Sequence, residues 1–300
     1  MNSSIDRKKG YIMVFASTMF FYMMTIFVKF ITAGGSIPGT QVTFFRFLIG
    51  FILVNIGMMK NGYEVRMVNR KAVLSRAALS SLAILLFFIV IQYSTTTKAN
   101  IYNLTYPIFV AALGPIFLKD ERWTVKNIVG VVVSFGGILL ISGAGFGTFE
   151  AVDLLGIVMG TVAGLGIIAL REARKTDTPN TILFYLMSIG IAITLIPFGS
   201  TFKMPTPTEW VYVMGMGTFS YLGQYTLTHG FKYVKAVEGS LISEARIFVA
   251  ALCGVLFLGE EFSYTMLGGG TLIFFGIVIV SVEWSRKKRA RVSASAANNL

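Results

Sequence analysis

The sequence alternates between long apolar runs and short connections that contain glycine, proline or charge. A helix needs about 20 mainly apolar residues to cross the hydrocarbon core of a bilayer. The first run is longer than the core of a secretory signal and has no evident small-residue cleavage site, so we expect it to stay as a helix. The pattern predicts ten transmembrane helices, near residues 10–32, 40–59, 74–95, 98–118, 125–143, 153–171, 179–198, 209–230, 236–258 and 264–283.

Basic residues concentrate in alternate connections. The connections of the other set hold only Lys98 and Lys203. Because positively charged connections stay in the cytoplasm, this asymmetry predicts a multi-pass protein of the cell membrane with both termini cytoplasmic. The basic set consists of Arg7, Lys8, Lys9, Lys60, Arg66, Arg70, Lys71, Arg76, Lys119, Arg122, Lys126, Arg171, Arg174, Lys175, Lys232, Lys235, Arg286, Lys287, Lys288, Arg289 and Arg291.

The composition agrees with a membrane protein. Of the 300 residues, 55% are apolar and 13% charged, against about 25% charged in globular domains. The net charge of +12 is a pattern also found in nucleic-acid-binding proteins. Here the basic residues follow the membrane orientation, and the basic tail suits anionic lipid headgroups. We therefore expect the lipid bilayer and a small-molecule solute as partners, and no nucleic acid; a monomer and a homodimer both fit.

The two halves of the chain resemble each other under a constant shift of 140 positions. Gly50 then falls on Gly190, and Glu121 falls on Glu261. Each half holds five predicted helices, an odd number, so the second copy enters the membrane from the opposite side. Inverted repeats with a site between them are typical of secondary transporters. The predicted fold is an all-α polytopic membrane protein, with ten transmembrane helices forming two inverted five-helix repeats around a central cavity.

Several short motifs resemble the EamA-type repeat of the drug/metabolite transporter superfamily. They are Tyr93-Ser94, Thr97-Lys98-Ala99-Asn100, Tyr106-Pro107, Asp120-Glu121-Arg122-Trp123-Thr124, Phe44-Phe45-Arg46-Phe47 and Leu258-Gly259-Glu260-Glu261. The resemblance implies ten helices, cytoplasmic termini and a central cavity, but no particular substrate. The second half departs from the pattern, because Ile247 stands where the first half has Pro107. The implied units are an EamA-like repeat at 10–143, a second, inverted one at 153–283, and a basic cytoplasmic tail at 284–300.

The ninth predicted helix carries two ions, Glu244 and Arg246, near its middle. Ions inside a membrane usually face a bundle interior or a water-filled cavity. Residues at i and i+2 of a helix do not face each other, so each ion needs a partner from elsewhere. Arg246 is a candidate clamp for a carboxylate or phosphate. Glu244 is a candidate to bind an amino group, pair with an arginine or carry a coupling proton.

Polar residues form matching stripes on two helices that correspond under the repeat. Asn100, Asn103 and Tyr106 share one face of the fourth helix, and Ser240, Ser243 and Arg246 are their counterparts on the ninth. With Tyr22 and Tyr225 on other helices, these residues are the predicted cavity lining. The competing interpretation is that they only join packed helices by hydrogen bonds.

Three further residues are candidates for coupling or gating, beside Glu244. His229 is the single histidine and could relay protons, although an interfacial hydrogen-bonded role fits its position near a helix end. Lys29 lies near the outer end of the first helix, where its side chain can reach the headgroups. Arg46 lies inside the second helix, where a structural pairing competes with solute contact.

No phosphate-binding loop, metal-ligand cluster or catalytic triad is present in the sequence, so we expect neither a cofactor nor enzymatic activity. The sequence predicts a secondary active permease that moves small organic metabolites, such as amino acids or other carboxylate-bearing solutes, by alternating access. Protons, a counter-solute or the solute gradient would drive it. The alternatives are an uptake or exchange carrier for nucleotide- or vitamin-like solutes, a passive channel, and an intramembrane enzyme, which lacks a catalytic constellation.

Overall fold

The computed structural model describes residues 3–33, 37–62, 65–93, 96–142, 151–195, 202–258 and 264–281, apart from some side chains within them. Over these ranges the secondary structure is α-helical, with no strand. The helices are α1 (Ser3–Ala33), α2 (Gly39–Asn61), α3 (Arg70–Tyr93), α4 (Thr96–Asn103), α5 (Tyr106–Phe117), α6 (Val125–Ser142), α7 (Ala151–Ala173), α8 (Pro179–Leu195), α9 (Pro207–Gly230), α10 (Ala236–Leu258) and α11 (Tyr264–Ser281).

Nine of the ten predicted runs correspond to one helix each, and the run at 98–118 forms two, α4 and α5. The break falls at Leu104 and Thr105, just before Pro107 in the first turn of α5. Proline has no N–H to donate to the preceding turn, which ends the continuous hydrogen-bonding pattern. The second half has Ile247 at the matching position, and α10 continues through it without a break. The sequence difference thus explains why only one of the two copies is broken.

By length and composition, three of the described helices qualify as membrane spans: Ile5–Ile31, Gly39–Lys60 and Ala151–Ala173. Shorter apolar helices occupy Ile101–Phe117, Val125–Leu140, Pro179–Leu195 and Leu267–Val280. Large apolar side chains are exposed on the outside of the bundle, among them Ile12, Ile128, Val158 and Phe274. An apolar exterior of this kind suits a surface that contacts lipid.

Helix packing repeats itself when the two halves are exchanged. Under the repeat, α1, α2 and α3 correspond to α7, α8 and α9. Accordingly, α1 packs on α9 as α7 packs on α3, and α2 packs on α9 as α8 packs on α3. In the same way, α1 packs on α10 as the α4–α5 unit packs on α7. Three further pairs, α2 with α8, α5 with α10 and α6 with α11, join equivalent helices directly, and the packing of α10 on α11 has its counterpart in that of the α4–α5 unit on α6. The bundle is therefore arranged about a pseudo-twofold relation between the halves.

The crossing of α2 and α8 shows the same relation at individual residues. A Cβ atom added at Gly50 would lie 2.7 Å from the Met187 sulfur, and one added at Gly190 would overlap the Phe47 ring. Gly50 and Gly190 correspond under the repeat, and so do Phe47 and Met187. Each glycine thus accepts the large side chain of the opposite half, and small residues of this kind let membrane helices approach closely.

Candidate functional site

Two helices of the predicted polar stripes meet at the interface between the halves. The Tyr106 hydroxyl on α5 donates a 3.0 Å hydrogen bond to the Ser240 carbonyl on α10. The Ser240 and Ser243 hydroxyls donate instead to carbonyls of their own helix, those of Val237 and Gly239, both at 2.8 Å. The contact between the stripes therefore uses the α10 backbone as the acceptor for a side chain of the first half.

The other predicted lining residues differ in how deeply they are buried. The Glu244 carboxyl on α10 is buried, with 2% of the residue exposed. Tyr22 on α1 is also buried, whereas Asn103 at the end of α4 is half-buried. The side chains of Asn100 and Arg246 lie outside the described residues, so the arginine clamp on α10 stays a prediction.

An aromatic row runs along α9. The Tyr221 and Tyr225 ring centroids are 5.9 Å apart, and those of Tyr225 and His229 are 4.6 Å apart. The spacing of four residues places these rings on one helix face. Tyr221 and Tyr225 pack against the apolar cluster between α2 and α8. His229, a candidate for coupling or gating, lies at the end of this row.

Polar side chains also recur at three- and four-residue spacing along α1, at Thr18, Tyr22, Thr25 and Lys29, and only some of them are buried. Thr18 and Tyr22 are buried, whereas Thr25 and Lys29 are exposed. Lys29 therefore lies on the outer surface of the bundle, where its ammonium group can reach the headgroup region along an apolar surface. A coupling or gating role for Lys29 stays a prediction without support from this position.

A second face of α9 holds two arginines that come from the first half. Arg46 Nε on α2 donates a 2.6 Å hydrogen bond to Ser220 Oγ. Arg76 Nη2 on α3 donates to Gln224 Oε1 at 3.4 Å. Ser220 and Gln224 are four residues apart, so they lie on one face of α9 and are separated by about 6 Å along the helix axis. We refer to Arg46, Arg76, Ser220 and Gln224 as the arginine pair site.

Arg76 corrects the sequence analysis, which counted it among the basic connections. It lies six residues inside α3, about 9 Å along the helix, and only 4% of it is exposed. Ala72, Val73 and Ala77 around it are buried as well. An arginine this close to a helix end ordinarily extends its side chain to the headgroups. For this reason the sequence pattern did not lead us to expect that Arg76 is buried. The available signal was the apolar stripe at three- and four-residue spacing, which contains position 76.

The Arg76 guanidinium lies where α3, α7 and α9 meet. A Cβ atom added at Gly166 on α7 would be 3.7 Å from Arg76 Nη1 and 2.9 Å from Ser80 Oγ. Arg46 and Tyr106 both lie in the neighbourhood of Arg76. The arginine pair site thus adjoins the contact between α5 and α10, and it draws on both halves.

Ionic contacts join the halves at one end of the bundle, which we call the basic face. It comprises the connections 65–69, 118–124, 174–178 and 231–235 together with the adjoining helix ends, which carry Arg7, Tyr11, Arg171 and Glu238. Arg7 Nη2 lies 2.6 Å from Glu238 Oε1, and the Tyr11 hydroxyl donates to Glu238 Oε2 at 3.2 Å. The Asp120 carboxylate forms two ion pairs, with Arg171 Nη2 at 3.0 Å and with Lys175 Nζ at 2.8 Å. Each of these contacts pairs a residue of one half with a residue of the other.

Backbone groups add further links at the basic face. Asp177 accepts the N–H groups of Val68 at 2.7 Å and Asn69 at 2.9 Å. Glu121 Oε1 accepts the Ala236 N–H at the start of α10, where the helix dipole favours a negative charge. Burial raises the pKa of Glu121, and the Ala236 hydrogen bond acts in the opposite direction. Burial also lowers the pKa of Arg174 to about 10.

The opposite end of the bundle has a different chemical character. There the Gln41 amide donates to the Lys203 carbonyl and accepts the Lys203 N–H at 3.1 Å. Aromatic rings surround this pair, and the Phe45 and Trp210 centroids lie 5.2 Å apart. The two ends thus join the halves by different means, ionic contacts at the basic face and aromatic packing at the other.

An apolar helical bundle of two equivalent halves, with buried polar and charged groups between them, is typical of polytopic membrane transporters. A profile of the EamA-like transporter family matches residues 8–143 and again residues 151–282. The chain belongs to the EamA-like transporter family. It is a multi-pass membrane transporter of small molecules, as the sequence motifs predict.

Curated relatives carry transporter names. The pseudopaline exporter CntI of Pseudomonas aeruginosa (strain UCBPP-PA14) is 24% identical over 283 residues, which cover 94% of this chain and 98% of the relative. An uncharacterized transporter of Archaeoglobus fulgidus is 28% identical over 246 residues, covering 80% and 85%. One from Helicobacter pylori (strain J99) is 27% identical over 286 residues, covering 90% and 94%.

The fold also occurs in a solved crystal structure. That structure superposes with a TM-score of 0.78 and covers 91% of this chain and 96% of its own, at 16% sequence identity. At this identity the likeness concerns the fold alone. It agrees with the all-α architecture predicted from the sequence.

Proposed function

We propose that the protein is a secondary active permease that exports small carboxylate-bearing organic metabolites by alternating access between its two halves. The observation that carries the proposal is the repetition of helix packing under exchange of the halves. Two equivalent halves can form two conformations of similar energy, each open to one side of the membrane. The exporter among the relatives supports the outward direction.

The arrangement of polar groups supports a solute site between the halves. The Tyr106–Ser240 hydrogen bond and the arginine pair site both connect elements of different halves. A solute bound there would contact both halves, so relative movement of the halves would change its exposure. Positive charge in the same region favours an anionic solute.

The basic face fits the role of a gate in this cycle. Its contacts would have to separate each time the bundle opens on that side. The solvent-exposed ion pairs of Asp120 contribute only up to about 1 kcal/mol each, so they can help to close the face without locking it. With the basic face joined by these links, the described conformation corresponds to the state closed on that side.

Solute counterflow in proteoliposomes tests the proposal. The purified protein is reconstituted, loaded with an unlabelled carboxylate-bearing metabolite and diluted into a trace of the same labelled compound, across a panel of amino acids and their neutral amides. A carrier accumulates label transiently and saturably, with carboxylates preferred. Flux that stays linear with concentration, or the absence of flux for every compound, contradicts the proposal. Empty liposomes and protein with Gly50→Leu, which should disrupt the crossing of α2 and α8, serve as controls.

A further inference from the structure

A groove opens on the basic face where the connection before α3 meets α8. Its volume is about 930 Å³, and its lining consists of Val65, Arg66, Met67, Val68, Arg70, Leu74 and Tyr185. Tyr185 comes from the second half of the chain, and the other lining residues come from the first. Ligand sites in proteins are typically clefts of about 300–1,000 Å³. This groove, which we call the surface groove, therefore has the size of a binding site.

Both cations of the surface groove lack a counterion within the described part of the chain. Arg66 and Arg70 are exposed, and their guanidinium groups form neither an ion pair nor a hydrogen bond there. The buried carboxylate of Asp177 adjoins this connection, but it accepts the backbone N–H groups of residues 68 and 69. The first turn of α3 holds no acidic residue, and the helix dipole adds positive potential at that end. The surface groove therefore attracts an anion.

Apolar side chains occupy much of the rest of the surface groove. Val68 is 67% exposed and Leu74 is 41% exposed, although both lie at the charged end of the bundle. Leu74 follows Arg70 by four residues, so the two side chains share one face of α3. An exposed apolar surface rimmed by polar groups marks a site of contact with a membrane or another protein. The combination fits a phospholipid, whose anionic phosphate lies next to apolar chains, better than free phosphate, which would use the arginines alone.

We propose that the surface groove binds one anionic phospholipid, with the phosphate on Arg66 and Arg70 and the acyl chains against Leu74. Each guanidinium can bind a phosphate through two parallel hydrogen bonds. Tyr185 suits the headgroup level, where tyrosine is enriched in membrane proteins. Since the predicted orientation makes the basic face cytoplasmic, the lipid would come from the cytoplasmic leaflet, whose surface is anionic. A lipid in this position contacts both halves of the chain, and its binding does not depend on the transported solute.

Lipid binding to the purified full-length protein tests the site without any transport assay. Delipidated protein in detergent is titrated with phosphatidylglycerol, with phosphatidylcholine of the same acyl chains, and with glycerol 3-phosphate, which has the phosphate but no chains. Native mass spectrometry counts the bound molecules, and thermal unfolding reports stabilisation, because a ligand that binds only the folded state raises the apparent stability. We expect one phosphatidylglycerol to bind more tightly than any phosphatidylcholine, and to raise the melting temperature. Glycerol 3-phosphate should do neither at the same concentration.

Four variants separate a defined lipid site from general attraction to a basic surface. Arg66→Gln and Arg70→Gln should each weaken phosphatidylglycerol binding about five-fold, the effect of one basic residue near an anionic membrane surface. Leu74→Gln should weaken both lipids, since it removes contact with the acyl chains. Lys71→Gln is the matched control, because it removes an exposed cation from the same turn of α3 that does not line the surface groove. It should leave the affinity for phosphatidylglycerol unchanged.

Three results would overturn the proposal. The first is equal affinity of the wild type for phosphatidylglycerol and phosphatidylcholine. The second is a loss in Lys71→Gln as large as that in Arg66→Gln and Arg70→Gln, which would show attraction to the whole basic surface. The third is binding of glycerol 3-phosphate as tight as that of phosphatidylglycerol, which would assign the surface groove to soluble phosphate compounds. If Arg70→Gln does not fold, Arg66→Gln and Lys71→Gln still decide.

Discussion

The Tyr106 hydroxyl donates a 3.0 Å hydrogen bond to the Ser240 carbonyl and so joins the broken helix unit of the first half to the continuous α10 of the second. Tyr106 begins α5 directly after the break at Leu104 and Thr105. A movement of α5 about this break would therefore stretch or release the contact. The hydrogen bond thus lies where the two halves would have to part.

Tyr106→Phe tests that contact. The variant keeps the ring and loses the donor, so it should lower the free energy of unfolding by about 1 kcal/mol, the net value of one hydrogen bond. It should also change the rate of solute counterflow, because we expect this bond to break when the two halves part. Tyr212→Phe on α9, whose ring packs on Phe30, is the matched control. Identical unfolding and counterflow in Tyr106→Phe and wild type would remove the contact from the cycle.

Gly50→Leu and Gly190→Leu test the crossing of α2 and α8. Each leucine would meet the large side chain of the opposite half, Met187 or Phe47. Overpacking a tight contact typically costs 1–3 kcal/mol, so both variants should yield less monodisperse protein with a lower melting temperature. Gly136→Ala on α6 enters open space and should behave as wild type. Tolerance of leucine at only one of the two positions would contradict an equivalent crossing.

The pH dependence of stability should reveal the ion pairs of Asp120. Burial alone raises the pKa of this carboxyl group, but the hydrogen bonds and charges of Lys175 and Arg171 outweigh burial and hold the pKa below its usual value. The contribution of these ion pairs to the free energy of unfolding is complete above the unfolded-state pKa of about 4. It is lost as the pH falls through the lower folded-state pKa. Asp120→Asn should therefore reduce the melting temperature slightly at neutral pH.

The same difference between wild type and Asp120→Asn should shrink as the pH falls below about 4. Since Asp120 is well exposed, the effect at neutral pH should stay under about 1 kcal/mol. Thermal unfolding of wild type and Asp120→Asn, followed from neutral pH to below about pH 4, measures this difference in stability. A difference that grows on acidification would show that Asp120 does not stabilise the basic face as an ion.

Cysteine labelling tests the orientation predicted from the basic residues. In a Cys253→Ser background, cysteines at Thr176 and Lys203, both exposed, should react with membrane-impermeant reagents from opposite sides. The position at Thr176 should react only after the cells are opened, because the basic face is predicted to be cytoplasmic. Reaction of both positions in intact cells would refute the predicted topology.

The positions of the helices could be predicted from the sequence because long apolar runs have few alternatives to a helix in a membrane. The break in the fourth run was not predicted, although Pro107 explains it and Ile247 explains why α10 is continuous. The family could also be inferred from short motifs. These features are local in the chain, and local patterns determine them.

The candidate site could be predicted only in part. The matching stripes place Tyr106 and Ser240 near each other, yet the acceptor is the Ser240 backbone, and the serine hydroxyls bond within α10. The burial of Arg76 and its contact with Gln224 depend on how α3 meets α9. Such contacts between distant parts of the chain are set by tertiary packing, which no spacing within one helix encodes.

The central claim is that the halves move against each other, and a reversible cross-link across the basic face tests it most directly. Asp120→Cys in the first half and Lys175→Cys in the second, positions that an ion pair joins at 2.8 Å, are linked in a Cys253→Ser background by a short reagent that a reductant cleaves. Solute counterflow is measured before linking, after linking and after reduction. The account predicts that linking abolishes counterflow and that reduction restores it; undiminished counterflow through fully linked protein would contradict it.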